Sequence, residues 1–175
     1  MEEKSQEQYP SANLSFQVIL HEYELECNRT SIIDSKTGII ITLAAAYLVI
    51  VLKEFDFLKY LQLPVNTVST ALMPLLLVLL NGGAIVLAVL SLLFLLIAVM
   101  PREYQFLNYD DLLEKELLTE KPDIISVLIL QNYIEIIYQN KGVNDKRAVY
   151  YRTGLLLLFA SIVALFSYKL LTNLL

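Results

Sequence analysis

Charge is excluded from three long stretches of the chain, residues 37–52, 72–100 and 153–168, and that pattern sets its architecture. The first and third runs are sixteen residues each, bounded by Lys36 and Lys53 and by Arg152 and Lys169. As helices they would reach ~24 Å at the standard rise, short for a hydrocarbon core of ~30 Å. Basic residues at both ends offset the deficit, because long cationic side chains snorkel to the headgroups. The second run is 29 residues, and no charge occurs between Lys59 and Arg102, so it spans with tilt to spare. Pro74 suits its first turn, and Pro101 with Arg102 its exit. Asn81, Gly82 and Gly83 interrupt the run. Small residues there predict a close helix contact, and the amide predicts a polar partner.

Between the apolar runs the spacing changes to that of amphipathic helices. Residues 13–36 carry Phe16, Ile19, Leu20 and Tyr23 at three- and four-residue intervals, then Cys27, with Glu22, Glu24 and Glu26 alongside. They predict a helix that continues into the first apolar run. Residues 122–152 open on Pro122 and place Ile124, Val127, Leu128, Gln131, Ile134 and Tyr138 on one stripe before leading into the third run. Gly142 and Asn144 predict a bend near Val143, and a short acidic helix is expected over 110–120. The reading is an all-α membrane protein: three transmembrane helices with a cytoplasmic helical bundle formed by extensions of the first and third helices. Its segments are a disordered tail (1–12), a cytoplasmic helix (13–36), a membrane helix (37–53), an outer loop (54–71), a second membrane helix (72–100), a cytoplasmic helical segment (101–152) and a third membrane helix (153–170).

Orientation follows from the basic residues near the segment ends. Lys4, Arg29, Lys36, Arg102, Lys115, Lys121, Lys141, Lys146, Arg147 and Arg152 fall on one side, against Lys53, Lys59 and Lys169 on the other. Ten against three places the N-terminus in the cytoplasm and the C-terminus outside.

Composition agrees with lipid exposure. At 57% hydrophobic residues and a mean hydropathy of +0.58, a 175-residue chain has more apolar side chain than one small soluble core can hide. The net charge of −5 points away from a nucleic acid polymer as partner. The acidic start lacks the basic-then-apolar layout of a secretory signal.

Little in the chain suggests chemistry. His21 is the sole histidine, which removes a multi-histidine metal site and leaves a surface or packing role. Cys27 is alone, cannot form an intrachain disulfide, and reads as a partly buried filler. Gly82-Gly83 has no following lysine and is no phosphate loop, and the acids Asp110, Asp111, Glu114 and Glu116 read as a solvated helix face. No catalytic residue, cofactor or metal is expected, and an enzyme is not. The apolar runs hold no ionisable residue, which counts against an ion-coupled transporter. Three helices also make a poor pore for one chain, so any conduction requires a homo-oligomer.

What remains is the inner rim, with Arg29 and Lys36 on one helix and Lys146, Arg147, Tyr151 and Arg152 on another. Basic residues and tyrosines at an interface serve orientation and anchoring alone. They also suit an anion site, in which Arg29 and Arg147 clamp a phosphate while a tyrosine stacks on a base. Arg29 lies about two turns before the membrane run, where anchoring needs it least.

The entries to the first and third membrane helices echo each other: Lys36-Thr37-Gly38 followed by an apolar run ending in Ala44, and Arg152-Thr153-Gly154 followed by one ending in Ala160. Residues 29–38, an arginine followed by Asp34-Ser35-Lys36-Thr37-Gly38, resemble the head of the first membrane helix in the small transmembrane effectors of the pyrimidine cyclase antiphage system called Pycsar. The basic entry at residues 140–152 is similar to that family's approach to its final helix. The resemblance implies a bacterial inner-membrane protein that senses cyclic UMP or cyclic CMP made during phage infection and impairs the membrane, causing abortive infection. Its implied partners are a cyclic nucleotide, the lipid bilayer and further copies of itself. The chain contains no recognisable cyclic-nucleotide-binding domain, so the site must be built from the helices or between subunits. Two other readings stand beside it: a membrane scaffold docking a partner on the stripe of Ile124, Val127, Ile134 and Tyr138, and a ligand-independent oligomeric pore.

Overall fold

The computed structural model describes residues 9–55, 68–108 and 119–174, apart from the side chains of residues 68–71. All regular structure among them is helical: α1 at Ala12–Lys53, α2 at Val68–Val99 and α3 at Pro122–Leu174. Residues 1–8 of the expected tail, most of the expected outer loop and residues 110–118 of the expected acidic helix lie outside the described residues. Residues 10 and 11 turn into α1, which takes Ala12 from the expected tail. All three helices are long and apolar enough to cross a membrane. At 42 and 53 residues, α1 and α3 measure about 63 and 80 Å, more than twice a hydrocarbon core of ~30 Å. Only part of each therefore lies in a bilayer.

Two details differ from the sequence reading. α2 starts at Val68, so Pro74 lies inside the helix and not in its first turn. α3 passes unbroken through Gly142 and Asn144, and no glycine takes a positive φ. The Asn144 amide is buried and bonded to residues of α1, which keeps it from competing for its own backbone.

The chain divides into two units. Met1–Ile32 with Pro101–Lys146 form a polar unit, and Ile33–Met100 with Arg147–Leu175 an apolar one.

In the apolar unit the buried residues of α2 are Leu77, Asn81, Ala84, Ala88, Ser91, Leu95 and Ala98. They alternate steps of four and three, the 3.5-residue period of left-handed knobs-into-holes packing. On α3 the buried positions Arg147, Gly154, Ser161 and Tyr168 recur every seven residues. The two series meet in layers. Leu77 packs with Tyr168, Ser161 Oγ donates to the Ala84 carbonyl at 2.6 Å, Ser91 Oγ donates to the Gly154 carbonyl at 2.7 Å, and Arg147 Nε donates to the Ala98 carbonyl at 2.7 Å. Numbers rise along α2 as they fall along α3, so the pair is antiparallel. α1 runs parallel to α3, with Asp34 paired to Arg147, Tyr47 to Ser161 and Glu54 to Lys169.

This unit is small and polar inside and apolar outside. Thr37, Asn81, Ser91 and Ser161 are fully buried, whereas Leu79, Leu93, Leu156, Phe159 and Phe166 are exposed. In water such a surface is a liability. In lipid the outward leucines are solvated by acyl chains, and association rests on close packing and interhelical bonds.

Close packing is concentrated at one glycine. A Cβ added to Gly154 would lie 2.7 Å from Leu95 Cγ and 3.2 Å from the Ser91 carbonyl oxygen. The same atom at Gly38, Gly82 or Gly83 meets nothing within 4 Å. Within the chain, the contact expected at Gly82 and Gly83 thus falls at Gly154, because the 3.5-residue period turns Asn81 and Ala84 inward and the glycines between them aside. The two Thr-Gly entries are likewise unequal, since α1 buries Thr37 and α3 buries Gly154.

Asn81 and Arg147 also serve helix ends. Asn81 Nδ2 donates to the Glu54 carbonyl at 3.0 Å, one residue beyond α1, while Arg147 reaches a carbonyl in the last turn of α2. Helix C-termini leave carbonyls without intrahelical donors, and lipid supplies none.

Candidate functional site

In the polar unit α1 and α3 are again parallel partners. Ser126 Oγ bonds Asn13 Oδ1 at 3.3 Å, and Arg29 Nη2 bonds Asp145 Oδ1 at 2.6 Å. Phe16 and Tyr23 pack on Tyr133, with ring centroids 6.1 and 5.1 Å apart, the latter edge to face. The Tyr9 N–H donates to Asp123 Oδ2 at 2.9 Å, in the first turn of α3, where an acid is favoured by the helix dipole.

The inward face of α3 here carries Asp123, Ile136, Asn140 and Asn144. Tyr138 is 73% exposed and Leu128 is exposed as well, while Ile124, Val127 and Ile134 are half-buried, so the stripe expected from Ile124 to Tyr138 lies at the margin of the packed side. Amides and Tyr133 occupy that side, and apolar periodicity does not count them. Cys27 is exposed and not a buried filler.

Two asparagines one turn apart organise the unit. Asn144 Nδ2 donates to Glu26 Oε1 at 2.7 Å and to Thr30 Oγ1 at 3.0 Å, while its Oδ1 accepts from the Tyr104 hydroxyl at 2.8 Å. Asn140 holds the backbone of Gln105 at both ends, accepting from its N–H and donating to its carbonyl, each at 3.0 Å. The segment after α2 is thereby pinned at the two residues before Phe106, whose ring is left 69% exposed.

Phe106 borders two clefts. One, of about 190 Å³, is lined by Glu26, Cys27, Thr30, Tyr104, Phe106 and Asn140. The other, of about 200 Å³, has Ile136 among its lining with the amides of Gln105, Asn108, Asn132 and Gln139 and the carboxylate of Glu135.

The residues singled out from the sequence divide between the units. Arg29 and Lys146 belong to the polar unit, and Lys36, Arg147, Tyr151 and Arg152 to the apolar one. Arg29 bonds Asp145 and Glu26. The hydrogen bond to Asp145 raises its pKa above the ordinary guanidinium value against an opposing desolvation, so Arg29 stays cationic throughout the physiological range. Arg147 is only 3% exposed and is committed to Asp34 and the Ala98 carbonyl. The clamp of Arg29 with Arg147 therefore meets a cation already used in packing. Lys36, Lys146 and Arg152 are exposed and Tyr151 half-buried; among the described residues the three cations form no ion pair. Tyr104, Phe106, Asn140 and Asn144 were missed, although the four-residue spacing of Asn140 and Asn144 on one helix face was visible. Among the described residues no group of three or more His, Cys, Asp or Glu could hold a metal ion.

These features define a class first: an all-helical, multi-pass membrane protein carrying a polar helical unit. Residues 28–172 match the Pycsar effector protein domain, and the chain belongs to that family. It is a membrane effector of antiphage defence. The match takes in Arg29 and both asparagines that order the polar unit. Comparison with curated proteins and with solved structures returns no match.

Proposed function

We propose that the chain senses a cyclic pyrimidine nucleotide, cyclic UMP or cyclic CMP, through its polar unit on the cytoplasmic side of a bacterial inner membrane, and responds by impairing that membrane. It acts as a receptor and effector in one chain, as a homo-oligomer and without catalysis. Membership of the Pycsar effector family supports the signal class. The observation that carries the coupling is that α1 and α3 each give part of their length to the polar unit and part to the apolar unit. A ligand that favours one arrangement of the polar unit thus acts on helices that also enter the bilayer, and it shifts them by its differential affinity. Arg29, half-buried, permanently charged and paired with Asp145 and Glu26, is the cation that would exchange a carboxylate partner for the cyclic phosphate. The excess of basic residues on one side of the spans supports a cytoplasmic polar unit.

Calorimetric titration of the full chain in detergent with a panel of cyclic mononucleotides tests the receptor half. Saturable binding of cyclic UMP or cyclic CMP is expected; heat-silent titrations with every nucleotide would remove it.

A further inference from the structure

We propose that the amide-lined cleft beside Phe106 reads the base of the signalling nucleotide, with the ring stacked on Phe106 and its edge hydrogen-bonded by Gln139, Asn132 and Gln105. The proposal rests on the receptor reading above and assigns its base site.

The two clefts differ in what they have left to offer. In the first, Glu26 and Thr30 are bonded to Asn144, the Tyr104 hydroxyl is given to Asn144, and both ends of the Asn140 amide hold Gln105. That cleft presents walls and few free polar edges. The second offers the carboxamides of Gln105, Asn132 and Gln139 beside the Glu135 carboxylate, and each carboxamide sets a donor beside an acceptor. A pyrimidine base likewise sets a donor beside acceptors along its Watson–Crick edge, and proteins read an unstacked base by bonding that edge while stacking the ring.

Orientation is built in. Gln139 Nε2 donates to Glu135 Oε1 at 3.2 Å, which leaves Gln139 Oε1 to accept an N–H, from N3 of uracil or the amino group of cytosine. Asn140 fixes the backbone of Gln105 next to Phe106, so the point of the chain from which the stacking ring projects is set before a ligand arrives. Size selects a fragment. A cleft of about 200 Å³ falls below the ~300–1,000 Å³ of sites that enclose a drug-sized molecule, and has room for a base but not for an entire nucleotide. Among the described residues that line it there is no cation and Glu135 is present, so the phosphate stays outside the cleft, where the same unit offers the guanidinium groups of Arg29 and Arg102.

The test is titration calorimetry on the full chain in detergent with cyclic UMP, cyclic CMP and cyclic GMP. Phe106→Ala should weaken the cyclic pyrimidine nucleotides about tenfold or more, as loss of a stacking aromatic does, and Phe106→Tyr should restore them. Gln139→Leu should weaken them as well, while Tyr138→Ala, on the exposed side of the same helix turn, should not. Phe106 and Gln139 are exposed, so helix content and elution volume should match the parent and separate loss of binding from loss of fold. A parent that binds, with Phe106→Ala and Gln139→Leu binding equally well, overturns the base site and leaves the receptor reading intact. A parent that binds no cyclic nucleotide overturns both.

Discussion

Ser91 donates its hydroxyl to the carbonyl of Gly154 at 2.7 Å, and a side chain on Gly154 would press on the Ser91 carbonyl and on Leu95. The hydrogen bond is the smaller part of that contact. Interhelical side-chain bonds in membranes average about 0.6 kcal/mol, whereas overpacking a close contact costs about 1–3 kcal/mol. Gly154→Ala should therefore destabilise the protein more than Ser91→Ala, and Gly154→Leu more than either. Thermal unfolding in detergent gives the ranking; equal midpoints for Gly154→Ala and the parent would contradict it.

The ion pair of Arg147 with Asp34 is lopsided. Arg147 is buried and Asp34 half-exposed, so removing the acid strands a charge in the bundle, at a cost of about 3 kcal/mol. Arg147→Met leaves no buried charge: it frees a carboxylate that water can reach and takes one donor from the Ala98 carbonyl. Asp34→Ala should lower stability more than Arg147→Met, and Asp34→Asn combined with Arg147→Met should recover part of the loss. A double-mutant cycle measures this, and additive effects would show that the pair is not coupled.

Asn144 holds three partners from two segments of the polar unit. Asn144→Ala leaves buried polar groups unmatched at about 1–3 kcal/mol. Hydrogen exchange should quicken at residues 101–108 and around Thr30 while residues 72–99 stay protected. Unchanged exchange at 101–108 would mean the segment is held by other contacts.

Arg29→Ala should reduce the response to a cyclic pyrimidine nucleotide while leaving expression and insertion normal. An equal loss of expression would make Arg29 an anchor. Its pKa is raised in the folded chain, so the stabilisation from its pairing is complete below the unfolded pKa and is lost only as pH rises through the folded one, above the physiological range. Titration of Arg29 should therefore add no pH dependence near neutrality, which nucleotide titrations at several pH values would check.

The three spans were legible because sixteen to 29 consecutive uncharged residues admit few alternatives to a helix in lipid. The packed face was not. Lipid and core are both apolar, so hydropathy cannot say which side of α2 turns inward, and the signal lies in small and polar residues every 3.5 positions, from Asn81 through Ser91 to Ala98. Gly82-Gly83 drew attention for composition, while Gly154, one glycine in a leucine run, carries the contact. Asn144 looked like a bend because its partners, Glu26, Thr30 and Tyr104, are remote in sequence. Arg29 was legible as a cation but not as one held by Asp145, more than a hundred residues away.

Dye release from vesicles reconstituted with the purified full chain tests the central claim most directly. On addition of cyclic UMP or cyclic CMP the vesicles should empty, protein-free vesicles should not, and Arg29→Ala should need more nucleotide. Release of the same extent without nucleotide, or none with it, would contradict a signal-triggered membrane effector.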